Sequence, residues 1–242
     1  MTGSRRNPLL RFLTWLGGNE MGLLLAVAGI AAGIWVFAEI ADHVIGGGTQ
    51  HFDRAVLLAM RHADKTPLGP PWVQETARDV TALGSVTVLS LITIGVFGFF
   101  ALDDKMPLAL FTAGSVVSGL MVSSFLKHLF HRPRPDLVPW SVYVQSTSFP
   151  SGHSMLSAVT YLTLGALLAR TQQRRMLKAW FMLCAVFLTV AVGVSRVYLA
   201  VHWPTDVLAG WTAGAVWSLV CWLVARRLQN RQALSAAHAK DI

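Results

Sequence analysis

Three short polar segments interrupt an otherwise apolar sequence: Lys127 to Pro135 (KHLFHRPRP), Pro150 to His153 (PSGH) and Ser195 to Asp206 (SRVYLAVHWPTD). Together they hold the side-chain types that phosphoryl transfer requires. A phosphoryl group in transfer spreads negative charge over its equatorial oxygens, and fixed cationic donors aimed at those oxygens lower the barrier. Lys127, Arg134 and Arg196 are donors of that kind, and the two arginines add a planar fork that engages two oxygens at once. Ser151 and Gly152 precede an apolar stretch, where the free N–H groups of a helix start attract an anion. Gly152, without a Cβ, lets the backbone come close.

Hydrolysis also needs a nucleophile and an acid for the leaving oxygen. His202 and Asp206 lie four apart around Trp203-Pro204, and Pro204 marks a helix start, so the two side chains can meet on one face. The carboxylate can hold one imidazole nitrogen as a donor and leave the other to attack phosphorus. His153 is then the candidate proton donor. No carboxylate pair accompanies these residues to bind magnesium, so the expected chemistry uses no metal and no other cofactor. Cys184 and Cys221 have no metal-ligand spacing and are read as packing residues.

The elements that must carry these residues follow from composition. Of 242 residues, 54% are hydrophobic and 13% charged, too apolar for an ordinary soluble domain. Six stretches are long enough to cross a bilayer as helices: Met21 to Ala41, Thr81 to Leu102, Pro107 to Phe130, Ser154 to Arg170, Met176 to Ser195 and Thr205 to Ala225. The net charge of +8 forms no long run of the kind a nucleic-acid surface needs, so no nucleic-acid partner is expected. It gathers instead at span ends. Arg5, Arg6 and Arg11 precede the first span, Arg170, Arg174, Arg175 and Lys178 separate the fourth from the fifth, and Arg226, Arg227 and Arg231 follow the sixth. By the positive-inside rule both termini are cytoplasmic, and the three polar segments face the outside. The first span is longer than a signal-peptide core and is expected to be retained. One domain is expected over 1–242, with a core of about 52–226 and cytoplasmic tails at 1–20 and 227–242. In the loop from Asp42 to Val80, Phe52, Val56, Met60 and Ala63 recur at helical spacing, which suits a short helix lying on the membrane surface. Pro133, Pro135 and Pro139 make His131 to Pro150 an ordered loop rather than a continued helix.

The three segments match a known signature in full: Lys, six residues, Arg-Pro; then Pro-Ser-Gly-His; then Ser-Arg, five residues, His, three residues, Asp. In this the chain resembles the superfamily of type 2 phosphatidic acid phosphatases (PAP2), and within it the bacterial enzymes acting on undecaprenyl diphosphate or phosphatidylglycerophosphate. The resemblance covers roughly Phe52 to Arg226. It implies an all-α polytopic membrane protein with six transmembrane helices and a short interfacial helix in the first outer loop. It also implies a metal-independent site with a phosphohistidine on His202, orientation by Asp206 and acid catalysis by His153. Lys127, Arg134, Ser151, Gly152, His153 and Arg196 would form the phosphate pocket.

The leading expectation is a bacterial inner-membrane lipid phosphatase with its site on the periplasmic or outer face, its partner a membrane lipid. A phosphotransferase passing phosphate from a polyprenyl diphosphate to a lipid sugar keeps the same chemistry with a different acceptor. A transporter binding anionic headgroups would need no nucleophile, which His202 with Asp206 argues against. Outside the signature, Glu39 near the outer end of the first span is read as interfacial or structural, and His128 and His131 as loop packing. Arg132, two residues before Arg134, is a candidate for a second phosphate, and Trp140 and Trp203 are read as interfacial belt residues.

Overall fold

Proline and serine set the helix boundaries in a computed structural model that describes residues 21–136 and 147–238, with side chains through residue 227. The helices are α1 (Met21–Ile45), α2 (Gln50–Ala59), α3 (Pro71–Ala82), α4 (Val86–Leu102), α5 (Met106–Leu129), α6 (Gly152–Thr171), α7 (Arg175–Tyr198) and α8 (Pro204–His238). No strand occurs among the described residues. Pro71, Pro107 and Pro204 stand in the first turns of α3, α5 and α8, where a missing N–H costs nothing. Ser85 and Ser151 cap α4 and α6, each accepting from the backbone N–H three residues on.

Among the described residues five helices are long and apolar enough to cross a membrane, or six spans if α3 and α4, bent by 50° at their break, form one. The expected span starting at Thr81 is corrected here. Helix α3 ends at Ala82, Ser85 restarts the chain as α4, and α3 itself fills part of the stretch read as loop. The short helix expected over residues 52–63 is present as α2, ending at Ala59. α2 buries Asp53 and Leu57, while Phe52 is exposed and Ala63 lies beyond the helix end. Asp53 and Leu57 face the bundle, Val56 and Met60 of the apolar repeat pack beside Leu57, and Phe52 faces outward.

The spans divide their work unequally. α6 sits at the centre, packed against α5, α7 and α8, and 11 of its 20 residues are buried. It is the least hydropathic of the spans. A central helix meets little lipid, and small Ser, Ala and Gly side chains let neighbours approach closely. At Gly165 and Gly214 an added Cβ would lie 2.7 and 2.6 Å from Ala185 and Ala158. α1, with two buried residues among 25, packs against α8 at the edge.

α7 ends in a tight reversal. The N–H of Ala200 donates to Val197 and that of Val201 to Arg196, a Schellman pairing with Ala200 at φ 51° where glycine is usual. That left-handed residue turns the chain from Arg196 to His202 in six positions. The N-terminal arginines, Pro139, Trp140 and the last residues of the C-terminal tail lie outside the described residues.

Candidate active site

The antiparallel order of α5 to α8 puts the end of α5, the start of α6, the end of α7 and the start of α8 together. All eight signature residues named from the sequence meet there. Lys127 Nζ stands 3.2 Å from where a Cβ on Gly152 would lie, so the absent side chain gives that ammonium room without a shift. His153, in the first turn of α6, lies within the fields of Arg196, His202, Lys127 and Arg134. Arg196 is buried, with Nη1 donating to Thr81 Oγ1 at 3.2 Å and Nε lacking a partner. A buried guanidinium N–H left over in a cationic cluster suits a site made for an anion.

His202 is 1% exposed and Asp206 is fully buried. Arg134 Nη1 donates to the carbonyl of Val201 at 2.7 Å and lies 3.4 Å from His202 Nε2. With Nε2 accepting, the proton belongs on Nδ1, which faces Asp206 Oδ2 at 3.5 Å. That is long for a direct hydrogen bond. Ser148 fills the gap: its hydroxyl donates to Asp206 Oδ2 and lies 3.3 Å from His202 Nδ1, placed to accept that proton. Burial is the largest influence on His202 and pushes its pKa down to about 4, against the opposing pull of Asp206. The imidazole is therefore neutral at pH 7, with its Nε2 lone pair turned toward the arginines. Burial also lowers the pKa of Arg134, which Asp206 partly restores.

Asp206 joins all three segments. Its Oδ2 also accepts from the N–H of Trp203 at 2.9 Å, and its carbonyl accepts from the N–H of Ser151 at 2.9 Å. Its Oδ1 accepts from Arg132 Nη1 at 2.6 Å. The second nitrogen of Arg132 bonds Asp53 Oδ2 at 2.6 Å, and Asp53 in turn accepts from the N–H and hydroxyl of Thr205. Arg132 is thus corrected as a candidate for a second phosphate: both its terminal nitrogens are held by carboxylates behind His202. The indole of Trp203 donates to the carbonyl of Pro133 at 3.0 Å and its ring lies under Arg132, so it also braces the loop.

Ser148, Asp53 and Thr205 were missed by sequence reasoning. Asp53 was visible only as an acid beside an amphipathic repeat, and Ser148 and Thr205 had no signal beyond adjacency to the motifs. His131 and Arg54 line a cavity of about 500 Å³ on the Arg132 side of this network. His128 and Glu39 are exposed, Glu39 beside His43 at 3.6 Å. Among the described residues no three of His, Cys, Asp and Glu are grouped as metal ligands.

A family model described as the PAP2 superfamily matches residues 108–230, which take in all three segments. The chain belongs to the PAP2 superfamily. This PAP2 chain is similar to phosphatidylglycerophosphatase B of Bacillus subtilis, 34% identical over 154 residues, 60% of this chain and 71% of that protein. It is similar to the lipid A 1-phosphatase of Rhizobium johnstonii, 33% identical over 121 residues, 46% of this chain and 45% of that one. Its fold resembles the crystal structure of a transmembrane PAP2-type phosphatidylglycerolphosphate phosphatase from Bacillus subtilis. The TM-score is 0.74 at 27% identity, covering 82% of this chain and 96% of that one. The PAP2 assignment makes it a multi-pass membrane phosphatase acting on lipid phosphates.

Proposed function

We propose that this PAP2 protein removes phosphate from a lipid phosphate or diphosphate, of the phosphatidylglycerophosphate or undecaprenyl diphosphate type, through a phosphohistidine on His202 and without a metal ion. One observation carries the reading: His202 is buried with Nδ1 held by Ser148 and Asp206 and Nε2 turned to Arg134. In the first step Nε2 attacks phosphorus and the bond to the lipid oxygen breaks. Its electron pair leaves on that oxygen, which takes a proton from His153. Phosphate itself brings the negative charge that favours the imidazolium form of His153 among its cationic neighbours. In the second step water attacks the phosphohistidine, returns a proton to His153 and releases inorganic phosphate. Lys127, Arg134, Arg196 and the N–H groups after Ser151 hold the oxygens in both steps.

The membrane arrangement goes with this. α3 and α4 act as one bent span, giving six, and α2 lies at the interface on the side of the histidines. Both termini are cytoplasmic, the site faces the outer side, and the chain forms one domain. A phosphate site at the membrane surface suits a substrate whose chains remain in lipid. The test is phosphate release by the purified protein from phosphatidylglycerophosphate, undecaprenyl diphosphate, phosphatidate and lipid A. Release should persist in EDTA and vanish in His202→Ala, and rapid quenching should trap labelled phosphate on histidine. Full activity of His202→Ala would discard the mechanism, and label recovered on a second lipid instead of as free phosphate would replace hydrolysis by transfer.

A further inference from the structure

The break between α3 and α4 touches two of the helices that carry the motifs. Residues 81–85 belong to none of the three motifs and lie ahead of the stretch 108–230 matched by the family model. The hydroxyl of Tyr161 in α6 donates to the carbonyl of Leu83 at 2.7 Å. At Gly84 an added Cβ would overlap Val192 of α7 and come within 3.3 Å of the Cβ and the carbonyl oxygen of His153. The break is thus pinned to α6 and pressed between α6 and α7. Thr81, two residues before Leu83 in the last turn of α3, is thereby held beside the end of α7, the helix that α3 packs against.

Thr81 Oγ1 accepts from Arg196 Nη1 at 3.2 Å, across 115 residues of sequence. Thr76, Thr93, Thr112, Thr189 and Thr212 each return their hydroxyl to the carbonyl four residues earlier, whereas Thr81 turns its oxygen to the arginine. Arg196 is buried, and this is the one hydrogen bond its guanidinium makes among the described residues. Its Nε is buried with no partner. A guanidinium can take two oxygens of one anion across its Nη1–Nη2 end or along its Nε–Nη2 side. Nη1 is engaged by Thr81, so the edge with no protein partner on either nitrogen is Nε–Nη2.

We propose that Thr81 is a positioning residue for phosphate transfer: it holds Arg196 Nη1 so that the Nε–Nη2 side meets two oxygens of the lipid phosphate. This rests on the reading of Arg196 as part of the phosphate pocket. Donors already fixed in place need no reorganisation as charge develops on those oxygens, so the loss of Thr81 falls on the chemical step more than on binding. The break at residues 82–85 then serves the site as well as the bend, since it sets where Thr81 stands.

The test is steady-state phosphate release by the full-length protein from whichever of phosphatidylglycerophosphate, undecaprenyl diphosphate, phosphatidate and lipid A it hydrolyses fastest. Thr81→Val keeps the shape without the acceptor and should lower kcat about tenfold with KM within about threefold. Thr81→Ser restores the oxygen and should keep kcat within about twofold of the unaltered chain. In the Arg196→Gln background, Thr81→Val should lower kcat by less than about twofold more, because the group it positions is gone. If Thr81→Val does not fold, Thr81→Ala, which also lacks the acceptor, takes its place. An unchanged kcat in Thr81→Val beside an impaired Arg196→Gln overturns the proposal and leaves the phosphate pocket standing. So does an equal loss in both backgrounds, which makes Thr81 a structural contact, or a Thr81→Ser enzyme as slow as Thr81→Val. Full activity of Arg196→Gln, or no release from any of the four lipids, overturns the pocket reading and the proposal with it.

Discussion

Arg132 grips Asp206 and Asp53 at once, at 2.6 Å each, so one guanidinium ties helix α2 to the carboxylate that holds His202. Both acids are fully buried, and Arg132 is largely so. Removing one partner of such a buried set leaves an uncompensated charge, at a cost of roughly 3–5 kcal/mol. Arg132→Met should therefore lower stability by about that much. Arg132→Lys keeps the charge but cannot reach both carboxylates with a fork. It should fold, lose about tenfold or more in kcat, and keep KM within about twofold, the pattern of a positioning residue. A KM that rises instead, with kcat intact, would make Arg132 a substrate contact.

Ser148 bridges a gap that His202 and Asp206 leave between them. Ser148→Ala removes a buried donor to a carboxylate, a loss of about 1.5–3 kcal/mol for a hydrogen bond to a charged group. The imidazole should then be less firmly held, and kcat should fall about tenfold to a hundredfold while KM changes little. Steady-state kinetics on any accepted lipid phosphate would check this. A Ser148→Ala enzyme with unchanged kcat would mean that Asp206 orients His202 unaided.

That the motif residues would meet was legible, because their spacing places them at helix ends that an antiparallel bundle brings together. Helix ends were legible to within a few residues where proline or serine marks them. What could not be read was pairing across long separations. Asp53 meets Thr205 from 152 residues away, and nothing local distinguishes that aspartate from an exposed one. α3 escaped notice because its sequence, PWVQETARDVTA, is polar on most faces and buries no residue. α2 was legible as a short helix, but not that its buried face carries Asp53.

The state of His202 fixes an expected pH response. Its pKa of about 4 lies below the ordinary 6.5, so the unfolded chain binds a proton between those values that the folded protein does not. Stability should fall as pH drops from 6.5 toward 4, and the contribution of this group should be flat above 6.5. In the proposed mechanism the neutral form of His202 is the nucleophile, so the acid limb of kcat/KM should break near 4. A pH profile with thermal melts at the same points measures both. An acid limb at 6.5, absent from His202→Ala phosphate binding, would show a group with ordinary exposure.

Gly210 of α8 lies where a Cβ would come within 2.6 Å of the carbonyl of Ser151 and 2.9 Å of Ser154. The first contact is backbone, so the turn before α6 must move. Gly210→Ala should cost about 1–3 kcal/mol through overpacking, and it should raise KM for phosphate-bearing substrates by displacing Ser151 and Gly152. Gly114→Ala, in open space inside α5, is the control and should leave KM unchanged and stability no lower.

The clasp between Asp53 and Thr205 also bears on how the protein is made. Translation proceeds at about 5–20 residues per second, so an aspartate at position 53 waits roughly 8–30 s before residue 205 is synthesised. Arg132 emerges midway and can neutralise one charge first. The chain therefore carries an unsheltered acid beside the bilayer through most of its synthesis, and the last helix to enter completes the shelter and the catalytic centre together. A ribosome that stops short of residue 204 leaves a membrane-bound fragment lacking both, open to quality-control proteases.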